Sequence, residues 1–228
     1  FQTRQALQES WFGIEADLKW YRRRSPGGTL KGSAVRDLCS AWVRLLTPFI
    51  PYTCEDLWLV MGGKGPVAFA PWPVPDDAQV DRKSELAEEL LLRTVEDVES
   101  IRKLLPMTPK AVVLITAPAW KWDVFRTIAG AAEKKDATRL VMQQESMRKR
   151  GKAAVDAVKQ MTTLIHRFPP ELVRDLASGI IDEASIFAGA QAFLEKEFGV
   201  PVRVEAAEEA THTKAASALP FKPAIVLE

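Results

Sequence analysis

The residues of this chain that could act on another molecule are cations and aromatics. Lys19 is followed by Arg22, Arg23 and Arg24, and a second cluster holds Arg148, Lys149, Arg150 and Lys152. Ammonium and guanidinium groups set close together can contact phosphates, which fixes the register of a nucleic acid without reading its sequence. Arginines in the last turn of a helix also complement its dipole, so charge complementarity is the plainer account of Arg22 to Arg24. Trp120 and Trp122 flank Lys121 just after an apolar run. An indole there can stack on an unpaired base or pack into a core.

Other chemistries find no support. Cys39 and Cys54 form no CxxC pair, and a disulfide framework is ruled out by number. They read as reduced thiols of a cytoplasmic protein. His166 and His212 have no partners at metal-ligand spacing, so no metal site is expected. No Ser/His/Asp or Cys/His constellation suggests an independent enzyme. Gly62-Gly63-Lys64-Gly65-Pro66 lacks the GxxxxGK[ST] spacing of a phosphate-cradling loop and follows a helix rather than a strand. No apolar run is long enough for a bilayer, so no membrane partner is expected. The first residues, FQTRQALQES, lack both an initiator Met and a signal core. The expectation is a piece of a longer, non-secreted protein.

The 228 residues are 47% hydrophobic and 27% charged, as in globular proteins, with a net charge of only +1. The distribution is uneven: Glu133 to Lys159 carries a net +4 and Asp76 to Glu99 a net −6. The acidic run reads as a solvated helix face.

The elements that must position these residues follow from periodicity. Leu7, Trp11, Ile14, Leu18 and Tyr21 form one stripe of a helix from Phe1 to about Arg24. Ser33 to Thr47 is a second helix. Pro48 and Pro51 break it, and Thr53, with Asp56 three residues on, is the expected cap of a third helix reaching about Met61. Val67 to Asp77 is Pro-rich and extended. Ser84 to Leu105 is a fourth helix, with Leu86, Leu90, Leu91, Val95, Val98, Ile101 and Leu105 inward. Pro106 and Pro109 mark a domain boundary. Ala111 to Ile115 reads as a buried strand, and Pro118 as the first residue of a helix ending near Gly130. Asp136 caps a helix running into Arg150, and Lys152 to His166 is another. Pro169-Pro170 opens a short one ending at Gly179, and Asp182 caps the last, closed by Gly199. Val200 to Glu205 and Pro223 to Glu228 read as strands. The fold class is α+β, mostly α, with a small sheet on helices.

Several stretches resemble a known family. Leu46 to Trp58, LTPFIPYTCEDLW, is similar to the elbow in the anticodon-binding bundle of class Ia aminoacyl-tRNA synthetases. Tyr52 stands where His is common and Asp56 where Glu is common, which leaves the family's His without a counterpart. Trp72-Pro73 is also typical of that bundle. ALQESWFGIEADLKWYRRR, TAPAWKWDVF, LVMQQESMRKRGK and the terminal KPAIVLE resemble the archaeal and eukaryotic-type leucyl-tRNA synthetases in particular.

The resemblance implies a four-helix anticodon-binding-type bundle at 1–106. A C-terminal mixed α/β tRNA-binding domain follows at 107–228. It implies leucine tRNA, contacted through its long variable arm, and the catalytic core of the same ligase as partners, with a monomer expected. The class I HIGH and KMSKS signatures are absent, so ATP and Mg belong to the full-length ligase, and this stretch holds no cofactor and should not activate leucine. Phosphate contacts fall to Lys19, Arg22, Arg23, Arg24, Lys121, Arg148, Lys149, Arg150 and Lys152. By family analogy the terminal strand, with Lys222, Ile225 and Glu228, reads the arm. The alternative is a protein-docking or structural tail with little tRNA affinity of its own.

Overall fold

The computed structural model describes residues 2–105, 109–131 and 136–228. It divides into two compact units, Phe1–Val80 and Asp81–Glu228. The boundary expected at Pro106 falls outside the described residues, as do Phe1 and the start of the basic run at 133–135. The helix expected to complete the first bundle, α5 (Arg82–Leu104), belongs to the second unit. Its buried face, Leu86, Leu90, Leu91, Val95 and Val98, is packed there. Arg82 pairs with Asp175 at 2.7 Å, and Arg102 donates to the Phe198 carbonyl at 3.0 Å.

In the first unit, α1 (Thr3–Gln8) and α2 (Ile14–Arg24) join through a π-helical turn at Glu9–Gly13. Where that turn widens the ladder, the Ser10 carbonyl accepts the Trp42 indole N–H at 2.5 Å. Helix α3 (Gly32–Leu46) ends at the elbow, where the Phe49 and Ile50 amides both turn back to the Leu46 carbonyl. Helix α4 (Pro51–Val60) then starts on Pro51, not on a Thr53 cap. Proline at the first position supplies the helical φ and lacks an N–H that would go unsatisfied there, so no side-chain cap is required. Val43, Leu46, Cys54 and Val67 form the core, flanked by Trp42, Phe49, Ile50 and Trp58. The Pro-rich segment is held by Glu55, which accepts the Val67 N–H at 2.8 Å, and by Arg44 on the Pro71 carbonyl at 2.9 Å.

The second unit is built on β1 (Val112–Thr116), buried at all five positions. It pairs in parallel with β2 (Val202–Ala206) and antiparallel with β3 (Ala224–Leu227), in the order β2-β1-β3. Between β1 and β2 lie α6 (Ala119–Ala129), α7 (Ala137–Gln143), α8 (Glu145–Arg150), α9 (Lys152–Arg167), α10 (Pro170–Ala177) and α11 (Glu183–Phe198). Asp182 caps α11 as expected, accepting the Ala184 N–H, and Gly199 closes it at φ 68°. The single helix expected from Asp136 to Arg150 is interrupted at Gln144, and Pro118 is the cap of α6 rather than its first residue. Among the described residues no helix is long and apolar enough to cross a membrane.

Candidate nucleic-acid interface

The sequence candidates fall in three places. In the first unit, Lys19 and Arg22 to Arg24 lie on the last two turns of α2. Lys19 is paired with Glu15 at 2.7 Å, and Arg23 lies over the Trp20 ring at 5.7 Å. Lys19, Arg22 and Arg23 are exposed, and Arg24 is half-buried.

The second place joins residues about thirty positions apart in sequence. Helix α8 ends at Gly151, whose φ of 54° suits glycine, and α9 starts at Lys152. The turn brings the Arg150 guanidinium to 4.7 Å from the ring of Trp120 on α6, a cation–π stack. Trp120 is half-buried, whereas Arg150, Lys149 and Lys152 are exposed. Lys149 pairs with Glu145 at 2.8 Å, with both side chains largely in solvent, so the pair is easily exchanged for another anion. Arg148 differs, because its Nε donates to the Met142 carbonyl at 2.6 Å and fastens the break between α7 and α8.

Lys121 does not belong with this group. It is 4% exposed, and its Nζ donates to the carbonyls of Ala216 and Ala218, each at 2.6 Å. Burial lowers its pKa. The reason is the helix period: one residue beyond Trp120, the side chain turns from the surface into the core. Lys121 ties the loop before β3 to α6, and phosphate contact is removed from its role.

The third place is the terminal strand. Lys222 is exposed, but Ile225 is buried and its carbonyl accepts the Lys214 Nζ at 3.3 Å. The Glu228 carboxylate is already engaged by Arg203 and, at 3.2 Å, by His212. Its main-chain carbonyl also accepts the Ala111 N–H at 3.2 Å. The family resemblance grouped these three residues, and the structure leaves Lys222 as the open side chain among them.

A residue missed by the sequence reading is Glu183, the first residue of α11, which is 4% exposed. It accepts the Phe221 N–H at 2.6 Å and the Ala117 N–H at 3.2 Å. Burial, opposed by these two hydrogen bonds, pushes its pKa up to about 7. A cavity of about 330 Å³ adjoins it, lined by Thr116, Trp122, Asp123, Arg126 and Asp182 among others. An acid just after an Asp cap is so ordinary in sequence that nothing flagged it. Among the described residues no group of three or more His, Cys, Asp or Glu could hold a metal ion.

Residues 1–116 match the family described as anticodon-binding domain of tRNA ligase. The whole chain is 36% identical over 231 residues to a leucine–tRNA ligase of Pyrococcus abyssi, of which it covers 23%. It is 36% identical over 235 residues to the leucine–tRNA ligase of Methanothermobacter thermautotrophicus and 35% identical to that of Methanosarcina barkeri, covering 24% of each. The chain thus spans about a quarter of the length of the curated relatives it matches.

Proposed function

This chain belongs to the family of anticodon-binding domains of tRNA ligases, and we propose that it binds leucine tRNA as part of a cytoplasmic leucine–tRNA ligase. Activation of leucine with ATP and Mg is assigned to the part of the ligase outside these 228 residues. The observation that carries the reading is the Arg150–Trp120 stack, with Lys149 and Lys152 exposed in adjoining positions. An exposed cation held on an aromatic ring, amid further cations, offers both phosphate contact and a face on which a base can stack. The variable arm of leucine tRNA is the proposed ligand region, with Lys222 contributing from the turn before β3.

Titration of the chain with leucine tRNA, intact and lacking its long arm, over a salt series tests this. Binding is expected to weaken on loss of the arm and to fall with salt, by about 0.7 to 0.9 log units per decade for each phosphate neutralised. The triple variant Lys149→Glu, Arg150→Glu, Lys152→Glu should flatten that slope. Equal binding of both RNAs with an unchanged slope would remove this surface. A second reading, a docking tail, is favoured by the apolar exposure of the first unit, where Tyr52, Val60 and Phe69 lie open to solvent.

A further inference from the structure

Glu183 is an acid placed where charge is unfavourable, and its two oxygens reach two connections at the same end of the second unit's sheet, where the end of β1 adjoins the start of β3. Ala117 directly follows β1 and leads into α6, while Phe221 lies in the turn that delivers β3. One carboxylate therefore joins the end of the central strand, the start of α11 and the approach to the terminal strand. The turn itself is strained. Among the described residues Phe221 is the non-glycine residue with positive φ, at 61°, and it is 2% exposed. A bulky residue holds that conformation only where its surroundings over-determine it. Here Phe168 packs edge-on against its ring at 6.0 Å, Arg93 lies 5.6 Å from the ring centre, and Glu183 takes its N–H. A Leu219–Lys222 bridge closes the turn and leaves Lys222 facing solvent.

We propose that Glu183 is a positioning residue for RNA contact: its carboxylate fixes the Phe221 turn, and so the placement of Lys222 and the register of Ala224–Leu227 on β1. The proposal rests on the tRNA-binding reading for its purpose, but its geometry is tested without RNA. The groups that Glu183 binds, the Phe221 and Ala117 N–H and the Trp122 indole, are donors, so the ionised form accepts from all of them, whereas protonation turns one acceptor oxygen into a donor facing an N–H. The charged groups around it are Asp182 on its own helix, Asp123 and Arg126 on α6, Glu208 on the Ala119 N–H, Lys83 beside Asp182, and Lys222 on the turn. Asp123 and Arg126 pair with each other at 3.0 Å, and Ser185 holds Asp182 below the usual carboxylate range.

The test is amide hydrogen exchange on the whole chain. In Glu183→Gln, exchange at Phe221, Ala117 and Ala224–Leu227 should speed up by about tenfold or more, with α5 and α9 unchanged. In the unmutated chain the same amides, corrected for intrinsic rates, should lose protection as pH falls through about 7 by local openings that keep Glu183 buried, whereas amides that exchange by global unfolding should gain it. His212 is replaced by Gln in the control, because it binds Glu228 at the end of the strand. This pH series decides the matter should Glu183→Gln fail to fold. Unchanged protection in both experiments overturns the proposal. Faster exchange in Glu183→Gln with undiminished leucine-tRNA binding would retain the clamp and overturn its role in RNA contact. Failure of the unmutated chain to bind leucine tRNA would instead sink the binding reading.

Discussion

The two units bury apolar surface to very different degrees. In Asp81–Glu228 the central strand is buried throughout, and Leu86, Leu90, Val95, Phe125 and Phe187 are wholly inaccessible. In Phe1–Val80 the buried apolar set is Val43, Leu46, Cys54 and Val67, while Tyr52 is 88% exposed and Val60 86%. Helix α4 explains the contrast. It turns Cys54 and part of Trp58 inward, but its sequence PYTCEDLWLV is apolar on more than one face, so Leu57, Leu59 and Val60 are left outside. The second unit carries a core of its own, and the first displays more apolar surface than that core uses.

Truncations of equal chemistry in the two units test that contrast most sharply. Val95→Ala should cost about 2–4 kcal/mol, because a wholly buried side chain leaves a cavity. Val43→Ala, at the edge of the smaller core, should cost about 1–2 kcal/mol. Denaturant unfolding of each variant measures both, and equal losses would break the comparison.

A smaller effect separates stability from geometry within the second unit. Glu183 has its pKa raised from 4.5 to about 7, so the folded chain keeps a proton that the unfolded chain releases. Its contribution is therefore fully present below pH 4.5 and declines as pH rises to about 7, by at most about 3 kcal/mol, then levels off. The unmutated chain should therefore lose stability relative to Glu183→Gln as pH rises across that window. Parallel curves would mean that Glu183 does not titrate there. A group that lowers stability in the form that best holds its neighbours is what a positioning role predicts.

Helix positions, the buried strand and the caps at Asp182 and Gly199 were legible because each rests on local rules of period and capping. The place of α5 was not: its apolar stripe suits either unit, and only tertiary packing assigns it. The basic clusters were visible as charge, but charge alone does not separate Arg148, fastened to Met142, from Arg150, stacked on Trp120. Lys121 was misread for the same reason, since its burial depends on the loop before β3, some ninety-five residues away. Glu183 left no trace because its partners at Ala117 and Phe221 are main-chain N–H groups, which any sequence supplies.

Lys121 and Arg150 both touch Trp120, at 5.7 Å and 4.7 Å, yet they should fail in different ways. Replacing Lys121 with Met leaves the Ala216 and Ala218 carbonyls without their donor, a loss of about 1–3 kcal/mol in stability. RNA affinity per folded molecule should hardly change. Arg150→Ala removes an exposed stack and should alter stability by less than about 1 kcal/mol. It should weaken leucine-tRNA binding and reduce the salt slope by about 1, the signature of one lost phosphate contact. Thermal melts and salt titrations on the two variants read the two effects separately. An Arg150→Ala variant with an unchanged slope would make the Arg150–Trp120 stack a packing feature, and the docking reading of this chain would then take precedence.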